Sequence, residues 1–138
     1  VEIKFTDIHG KQVDLAALKG KVVLVDFWAT WCGPCVGEIT HVLKAYEKLH
    51  DKGFEIIGIS LDTDKAKLAK FTKEKGMTWP QYFDGKAWQT KLAGVYGVNS
   101  IPATYLLDGE GKIIAKNLRG PALEEAVAKA QKMAAEAA

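Results

Sequence analysis

The sequence predicts an α/β fold in which helices flank a central mixed β-sheet. An apolar strand from Val22 to Trp28 is followed by an amphipathic helix from Pro34 to His50 and by a second apolar strand from Phe54 to Leu61. Two strands joined by a helical crossover are expected to be parallel. Nearer the C-terminus, the strand Thr104–Asp108 leads through a glycine-rich turn into 112–118, so these two strands are expected to be antiparallel.

Length and composition are those of one globular domain over residues 1–138. Hydrophobic residues make up 48% and charged residues 26%, and the formal charge is +2 with both signs interspersed. These values exclude a disordered chain and predict neither a nucleic-acid partner nor a membrane-surface patch. No apolar run approaches the roughly 20 residues that span a bilayer, so no stable membrane insertion is expected. The start at Val1 suits a chain trimmed of a leader or anchor as well as a cytosolic protein.

The first fifteen residues predict a β-hairpin. The apolar positions Ile3, Phe5 and Val13 alternate weakly around a turn at His9-Gly10. A short helical turn follows and ends at Gly20.

The stretch between the second strand and Pro102 predicts additional α/β elements. Asp62-Thr63-Asp64 supplies N-cap candidates for a helix that runs to about Lys75. A short strand at Tyr82-Phe83 and a helix from about Ala87 to Tyr96 are expected next. The aromatic residues here are interpreted as packing residues: Trp79, Tyr82 and Trp88. The last helix opens at Gly120-Pro121.

The pair Cys32 and Cys35 lies where the first strand gives way to the helix. Pro34 fits the first helical turn, so Cys32 is expected at the helix N-terminus, where free N–H groups and the helix dipole stabilise a thiolate. Cys35 follows one turn later on the same side, a spacing that allows a disulfide. Because Cys35 belongs to the apolar stripe of the helix, we expect Cys32 to be the exposed attacking thiol and Cys35 the buried resolving thiol.

Such a pair has three interpretations: a redox-active dithiol, a structural disulfide or half of a zinc site. A zinc site needs two further ligands, whereas the chain has no third cysteine and its three histidines, at positions 9, 41 and 50, are interpreted as surface residues. The proline and tryptophan beside the cysteines favour the redox interpretation over a structural disulfide. We therefore expect no metal and no cofactor.

Asp26 lies within the apolar strand that leads to the cysteines. A carboxylate in such a strand is costly unless it has a function or a partner. Beneath Cys35 it would remove the proton that this thiol holds, and a structural, hydrogen-bonded role is the alternative. Glu38, one helical turn beyond Cys35, is the second candidate for proton transfer.

The segment DFWATWCGPC, Asp26 to Cys35, resembles the active site of thioredoxin. Further segments resemble the TlpA/ResA-like branch of thioredoxin-fold proteins: LAALKGKVV, the glutamate at position 38, GFEIIGISLD, YGVNSIPATYLLD and GKIIAKNLRG. The resemblance covers nearly the whole chain, from Phe5 to Val127. It implies a thioredoxin-like fold with an N-terminal β-hairpin and a central α/β insertion.

The resemblance implies a thiol:disulfide oxidoreductase that reduces or exchanges disulfides of exported proteins or of cytochrome c maturation partners. The implied partners are disulfide-containing protein substrates and an upstream membrane or soluble thiol reductant. The implied compartment is periplasmic or otherwise extracytoplasmic, with a cytoplasmic location as the alternative.

The resemblance also implies the residues that bind substrate. Pro102 is expected to be cis and to face the cysteine pair, beside a backbone edge at Ser100-Ile101 to which an extended substrate adds a strand. The other substrate-binding candidates are Trp28, Trp31, Gly33 and Pro34. The chain departs from the family pattern in two respects. Thioredoxins usually pair the buried aspartate with a lysine on the neighbouring strand, and the segment GISLD has none. Both branches tend to have a proline five residues after the second cysteine, and this position is Thr40 here, so the helix is expected to be less kinked than theirs.

Three other functions compete with this interpretation. Peroxiredoxins share the fold, but they place a lone attacking cysteine after a Pro-x-x-x-Thr/Ser-x-x-Cys segment, and the matching position here is Ala29. A copper chaperone or other metal-binding module would need a histidine or methionine brought near the pair. A non-catalytic interaction domain would show no accessible redox midpoint.

Overall fold

The structure, a computed structural model, describes residues 3–137. The strands are β1 (Lys4–Thr6), β2 (Gln12–Asp14), β3 (Val22–Trp28), β4 (Phe54–Ser60), β5 (Gln81–Tyr82), β6 (Ala103–Leu107) and β7 (Ile113–Lys116). The α-helices are α1 (Gly33–Leu49), α2 (Lys65–Lys75), α3 (Lys91–Tyr96) and α4 (Pro121–Ala137). Short 3-10 helices span Leu15–Leu18, His50–Lys52 and Ala87–Gln89.

The central sheet has the strand order β5-β4-β3-β6-β7, and β1 and β2 form a separate antiparallel hairpin. β3 runs parallel to β4 and antiparallel to β6, which confirms the mixed sheet. All seven residues of β3 are buried because helices cover both faces. Among the described residues, no helix is long and apolar enough to cross a membrane.

The two faces of β3 meet different helices. Trp28 contacts Phe71 of α2 on one face, and Phe27 contacts Tyr96 of α3 on the other. Phe54, which pairs with Val22, contacts α1, so α1 covers the same face as α2. Alternate residues of a strand share a face. Asp26 therefore points toward the layer of α1 and α2.

The predicted helix from Ala87 to Tyr96 is divided in the structure, and the predicted extent was wrong at this point. Thr90 is extended, with φ −52° and ψ 130°, between a 3-10 turn and α3. The cause is Asp84, whose carboxylate accepts hydrogen bonds from the backbone N–H groups of Lys86 and Lys91 and from the Thr90 hydroxyl. A carboxylate that captures these donors stabilises a turn in place of a continuous helix.

Elsewhere the expected elements are present, with bounds that differ by a few residues at most. The predicted hairpin forms as β1 and β2, while its first two residues, Val1 and Glu2, lie outside the described part of the chain. The short strand after α2 begins one residue earlier than expected, at Gln81.

A row of four in-register residues crosses the sheet under α1. Gln81 pairs with Gly58, Gly58 with Asp26, and Asp26 with Thr104. A Cβ atom at Gly58 would overlap the Gln81 carboxamide. The glycine thus makes room for the Gln81 side chain, whose Oε1 accepts a 2.9 Å hydrogen bond from the buried Trp28 indole.

We predict that Gly58→Ala destabilises the fold by about 1–3 kcal/mol, because the new methyl group displaces the Gln81 carboxamide from Trp28. Urea unfolding measures the effect. Gly37→Ala is the matched control: Gly37 lies in α1 with open space around it, so alanine should stabilise the helix by up to about 1 kcal/mol. Equal responses of the two variants would contradict the close approach at Gly58.

Candidate active site

Cys32 and Cys35 are joined by a disulfide at the N-terminus of α1, and their Cα atoms lie 5.2 Å apart. Cys32 is the N-cap residue with extended backbone, and its sulfur accepts a 3.2 Å hydrogen bond from the Cys35 backbone N–H. Pro34 occupies the first turn, as expected. The helix N-terminus therefore directs a free N–H group at the sulfur of Cys32, which favours its anionic form once the disulfide opens.

The expectation that Cys32 is exposed was wrong for this disulfide form. Cys32 is 6% exposed and Cys35 3%, so both cysteines are buried. The reason is the cap itself, since the Cys32 sulfur turns back over the first turn of the helix to meet Cys35. Trp31, in contrast, is 53% exposed beside them.

The turn that carries the cysteines is anchored by Asp62. Its carboxylate accepts hydrogen bonds from the Thr30 backbone N–H at 3.1 Å and from the Thr30 hydroxyl at 2.5 Å. The Ser60 hydroxyl donates to the same carboxylate at 2.6 Å. Asp62 was an N-cap candidate for α2, but Asp64 caps that helix by accepting from the Lys67 N–H. Asp62 instead fixes the cysteine turn to the end of β4.

Asp26 lies on β3 two residues before the end of the strand and is 7% exposed. Burial raises the pKa of Asp26 from 3.8 to about 7, while the charge of Arg119 lowers this pKa and the charge of Glu38 raises it. Its strand neighbours are Gly58 and Thr104, so the sheet places no lysine beside it. A carboxyl group with this pKa exchanges its proton near neutral pH, as proton transfer with a thiol requires.

The segment before α4 connects several of the candidate residues. Arg119 donates from Nη2 to the Pro102 carbonyl oxygen at 2.6 Å, and the Ile101–Pro102 peptide bond is cis. The Gly120 backbone N–H donates to Oε2 of Glu38 at 3.2 Å. Because Ala103 pairs with Phe27, Pro102 lies at the edge of the sheet from which the cysteine turn emerges.

The four tryptophans divide differently from the expectation. Trp28 is 1% exposed and cannot form part of a substrate surface, because its indole is turned inward to Gln81. Trp88 was interpreted as a packing residue, yet it is 46% exposed and its ring lies 6.5 Å from that of Trp31. Trp79 is buried, as expected. The aromatic surface beside the cysteines thus consists of Trp31 and Trp88.

The remaining candidates surround this surface. Gly33 and Pro34 are exposed, while Ile101 and Pro102 are half-buried at the opposite side of the turn. Two of the three histidines lie away from this surface: His9 is exposed in the hairpin, and His50 contacts Glu55 at 3.1 Å at the far end of α1. His41 of α1 lies beside Gly120.

Comparison with known proteins adds to this geometry. The sequence model of the AhpC/TSA family matches residues 1–116. The chain belongs to this family. In the AhpC/TSA family, the chain is similar to a thiol-disulfide oxidoreductase ResA from Bacillus cereus, with 37% identity over 111 residues. That match covers 80% of this chain and 62% of the relative, so the chain spans less than two thirds of the relative's length.

Solved structures show the same fold. The thioredoxin domain of a thiol-disulfide oxidoreductase from Bacteroides vulgatus is 38% identical with a TM-score of 0.84, and the match covers 94% of this chain and 92% of that one. The C-terminal domain of a putative thiol-disulfide oxidoreductase from Bacteroides thetaiotaomicron is 29% identical with a TM-score of 0.87, covering 96% and 93%. This AhpC/TSA family member therefore has the expected thioredoxin-like fold.

Three site residues of this AhpC/TSA family member were not found from sequence. The role of Asp62 could have been predicted, because an aspartate directly after an apolar strand is buried and needs hydrogen-bond donors. The roles of Gln81 and Arg119 could not be predicted from a single sequence, since each residue reaches its partner through the tertiary fold.

We predict that Asp26→Asn makes the oxidised protein more stable than the wild type at alkaline pH. Folding favours the protonated carboxyl, so the contribution of Asp26 to stability is fully present below pH 3.8 and is lost as pH rises through about 7. Asparagine stays neutral, and the variant's advantage should therefore grow between pH 4 and pH 8 by up to about 4 kcal/mol. Urea unfolding across this range measures it.

Glu47→Gln, on the exposed side of α1, is the control and should leave the pH dependence unchanged. Parallel pH profiles for Asp26→Asn and the wild type would show that the carboxyl titrates normally.

Proposed function

We propose that this chain is a thiol:disulfide oxidoreductase that reduces or exchanges disulfides in protein substrates. The observation that carries the proposal is the cysteine pair itself, which forms a disulfide at a helix N-terminus. The buried Asp26 supports it, because its pKa of about 7 suits a proton acceptor. The similarity to thiol-disulfide oxidoreductases supports the same reaction class.

The reaction proceeds in two exchanges. The Cys32 thiolate attacks one sulfur of the substrate disulfide, a mixed disulfide forms, and the second substrate sulfur leaves as a thiolate. Asp26 then accepts the proton of the Cys35 thiol, and the Cys35 thiolate attacks the Cys32 sulfur. The bound substrate sulfur leaves as a thiolate, so two electrons have passed from the dithiol to the substrate. An upstream thiol reductant restores the dithiol by the reverse steps.

Substrate binding is assigned to the surface around the turn. An extended segment adds as a strand along the backbone edge at Ser100-Ile101, beside Pro102, and its side chains contact the rings of Trp31 and Trp88. Gly33 and Pro34 leave this approach open because neither projects a long side chain.

The finer assignments follow the TlpA/ResA-like resemblance. The substrates are exported proteins or cytochrome c maturation partners, and the compartment is extracytoplasmic. The upstream reductant is a membrane or soluble thiol protein. Fractionation of the native organism with an antibody to this chain tests the compartment, and a cytosolic pool would overturn it.

We predict that Cys35→Ser accumulates mixed disulfides with substrate proteins and that Cys32→Ser does not, because only Cys32 lies at the helix N-terminus where its thiolate is stabilised. Non-reducing electrophoresis after thiol quenching detects the adducts. The wild type should turn over a protein disulfide with a dithiol reductant and show no comparable turnover with peroxide. Equal trapping by both variants would remove the assignment of roles.

We predict that Trp88→Ala raises KM for a disulfide peptide about threefold to tenfold and leaves kcat nearly unchanged, since the ring contributes about 1 kcal/mol of contact and no chemistry. Steady-state kinetics with peptides that carry an aromatic residue beside the cysteine measure the effect. Met133→Ala removes another exposed apolar side chain, on α4, and serves as the control. An unchanged KM for Trp88→Ala would exclude this ring from the substrate surface.

A further inference from the structure

We propose that Arg119 is a positioning residue that connects the substrate-binding edge at Pro102 with the proton acceptor Asp26. The inference rests on the proposed function, for which Asp26 receives the proton of Cys35. It assigns to Arg119 the positive charge that the strands beside Asp26 do not provide.

The first step of the argument is the position of the guanidinium group. Nη2 of Arg119 donates to the Pro102 carbonyl at 2.6 Å, and Nη1 donates to the Leu118 carbonyl at 3.2 Å. Two donors of one planar group thus bind two different backbone segments, which holds its charge in one place. Pro102 directly precedes β6. Since Thr104 pairs with Asp26, the Pro102 carbonyl lies only two residues before the strand neighbour of that aspartate.

The second step is the connection of the same segment to α1. The Gly120 backbone N–H donates to Oε2 of Glu38, which lies one turn after Cys35. Gly120 has φ 56°, a conformation that glycine adopts without strain. The Glu38 carboxylate therefore fixes the residue after Arg119 to the cysteine helix and restricts where the guanidinium group can lie.

The third step concerns the groups around Asp26. β4 contributes Gly58 and β6 contributes Thr104, which carry no charge. Gln81 of β5, in the same row, is also neutral, and its Nε2 has no hydrogen-bond partner among the described protein groups.

The charges that act on Asp26 come from outside the sheet: Glu38 of α1 opposes its ionisation and Arg119 favours it. His41, also on α1, lies beside Gly120. Among the described residues, Arg119 is thus the cation that stabilises the Asp26 carboxylate.

The Arg119 side chain thus has two roles: its charge acts on Asp26, and its hydrogen bonds act on the backbone beside the cysteines. Asp26 accepts a proton from Cys35 only while it is ionised, and the nearby positive charge offsets part of the effect of burial, so that the carboxyl group still ionises near neutral pH. The hydrogen bonds to Pro102 and Leu118 hold the edge along which substrate adds. Charge and hydrogen-bond geometry can be separated, because lysine retains the first and loses the planar fork.

The experiment measures the Asp26 carboxyl by carbon NMR in the oxidised protein as a function of pH. In Arg119→Met the midpoint of this titration should rise by about one pH unit, since an opposite charge has been removed. In Arg119→Lys it should stay within a few tenths of the wild-type value, while KM for a disulfide peptide rises. Lys132→Met, which removes an exposed charge of α4, is the control and should change neither quantity.

The kinetic counterpart is the rate at which the mixed disulfide is resolved, measured by stopped flow as a function of pH. The rising limb of this pH profile should move to more alkaline pH in Arg119→Met and remain in place in Arg119→Lys.

A midpoint of Asp26 that is the same in the wild type and in Arg119→Met overturns the inference while the proposed function stands. A wild type without exchange activity overturns the function, and the NMR titration still reports on the Arg119 and Asp26 pair. If Arg119→Met does not fold, Arg119→Gln removes the charge with a polar side chain. An Asp26 midpoint that rises by about one pH unit in this variant supports the inference, and an unmoved midpoint overturns it.

Discussion

The burial of one carboxyl group in the middle strand is the constraint on which the rest of this site depends. β3 is the central strand of the sheet, is covered on both faces, and leads directly into the cysteine turn, so Asp26 loses most of its contact with water. Desolvation of a carboxylate is expensive, and the protein accommodates it by letting the group bind a proton near neutral pH. The strand neighbours of Asp26 do not oppose its protonation. Gly58 and Thr104 are neutral, and the two charges that reach Asp26 act in opposite directions.

The geometry of the cysteine turn has a separate origin. The turn follows the C-terminal end of a parallel strand, where the next helix begins, and this arrangement brings the helix N-terminus to the cysteines. The Asp62 carboxylate then binds the turn to the neighbouring strand through Thr30. Loss of these bonds would leave the buried carboxylate with the Ser60 hydroxyl as its remaining side-chain donor, so releasing the turn costs free energy.

The sequence allowed much of this structure to be predicted, because the relevant signals are local. Apolar runs and helical periodicity locate β3, α1 and β4, and proline beside Cys32 and Cys35 locates the helix start. Predictions were wrong where tertiary contacts decide. The exposure of Trp28 and Trp88 was assigned the wrong way round, since burial of an aromatic ring depends on which elements cover it. For the same reason Arg119 could not be found, because it meets Pro102 across 17 residues of chain.

The near-complete burial of both cysteines in the disulfide form affects how other thiols can react with the pair. A small free thiol meets little of either sulfur at the surface of the oxidised protein, because Cys32 is folded over the first turn of its own helix. Reduction of the oxidised pair therefore depends on how closely an attacking thiol can approach a largely covered sulfur. The shape of the protein around the turn thus limits this reaction in addition to the chemistry of the thiol.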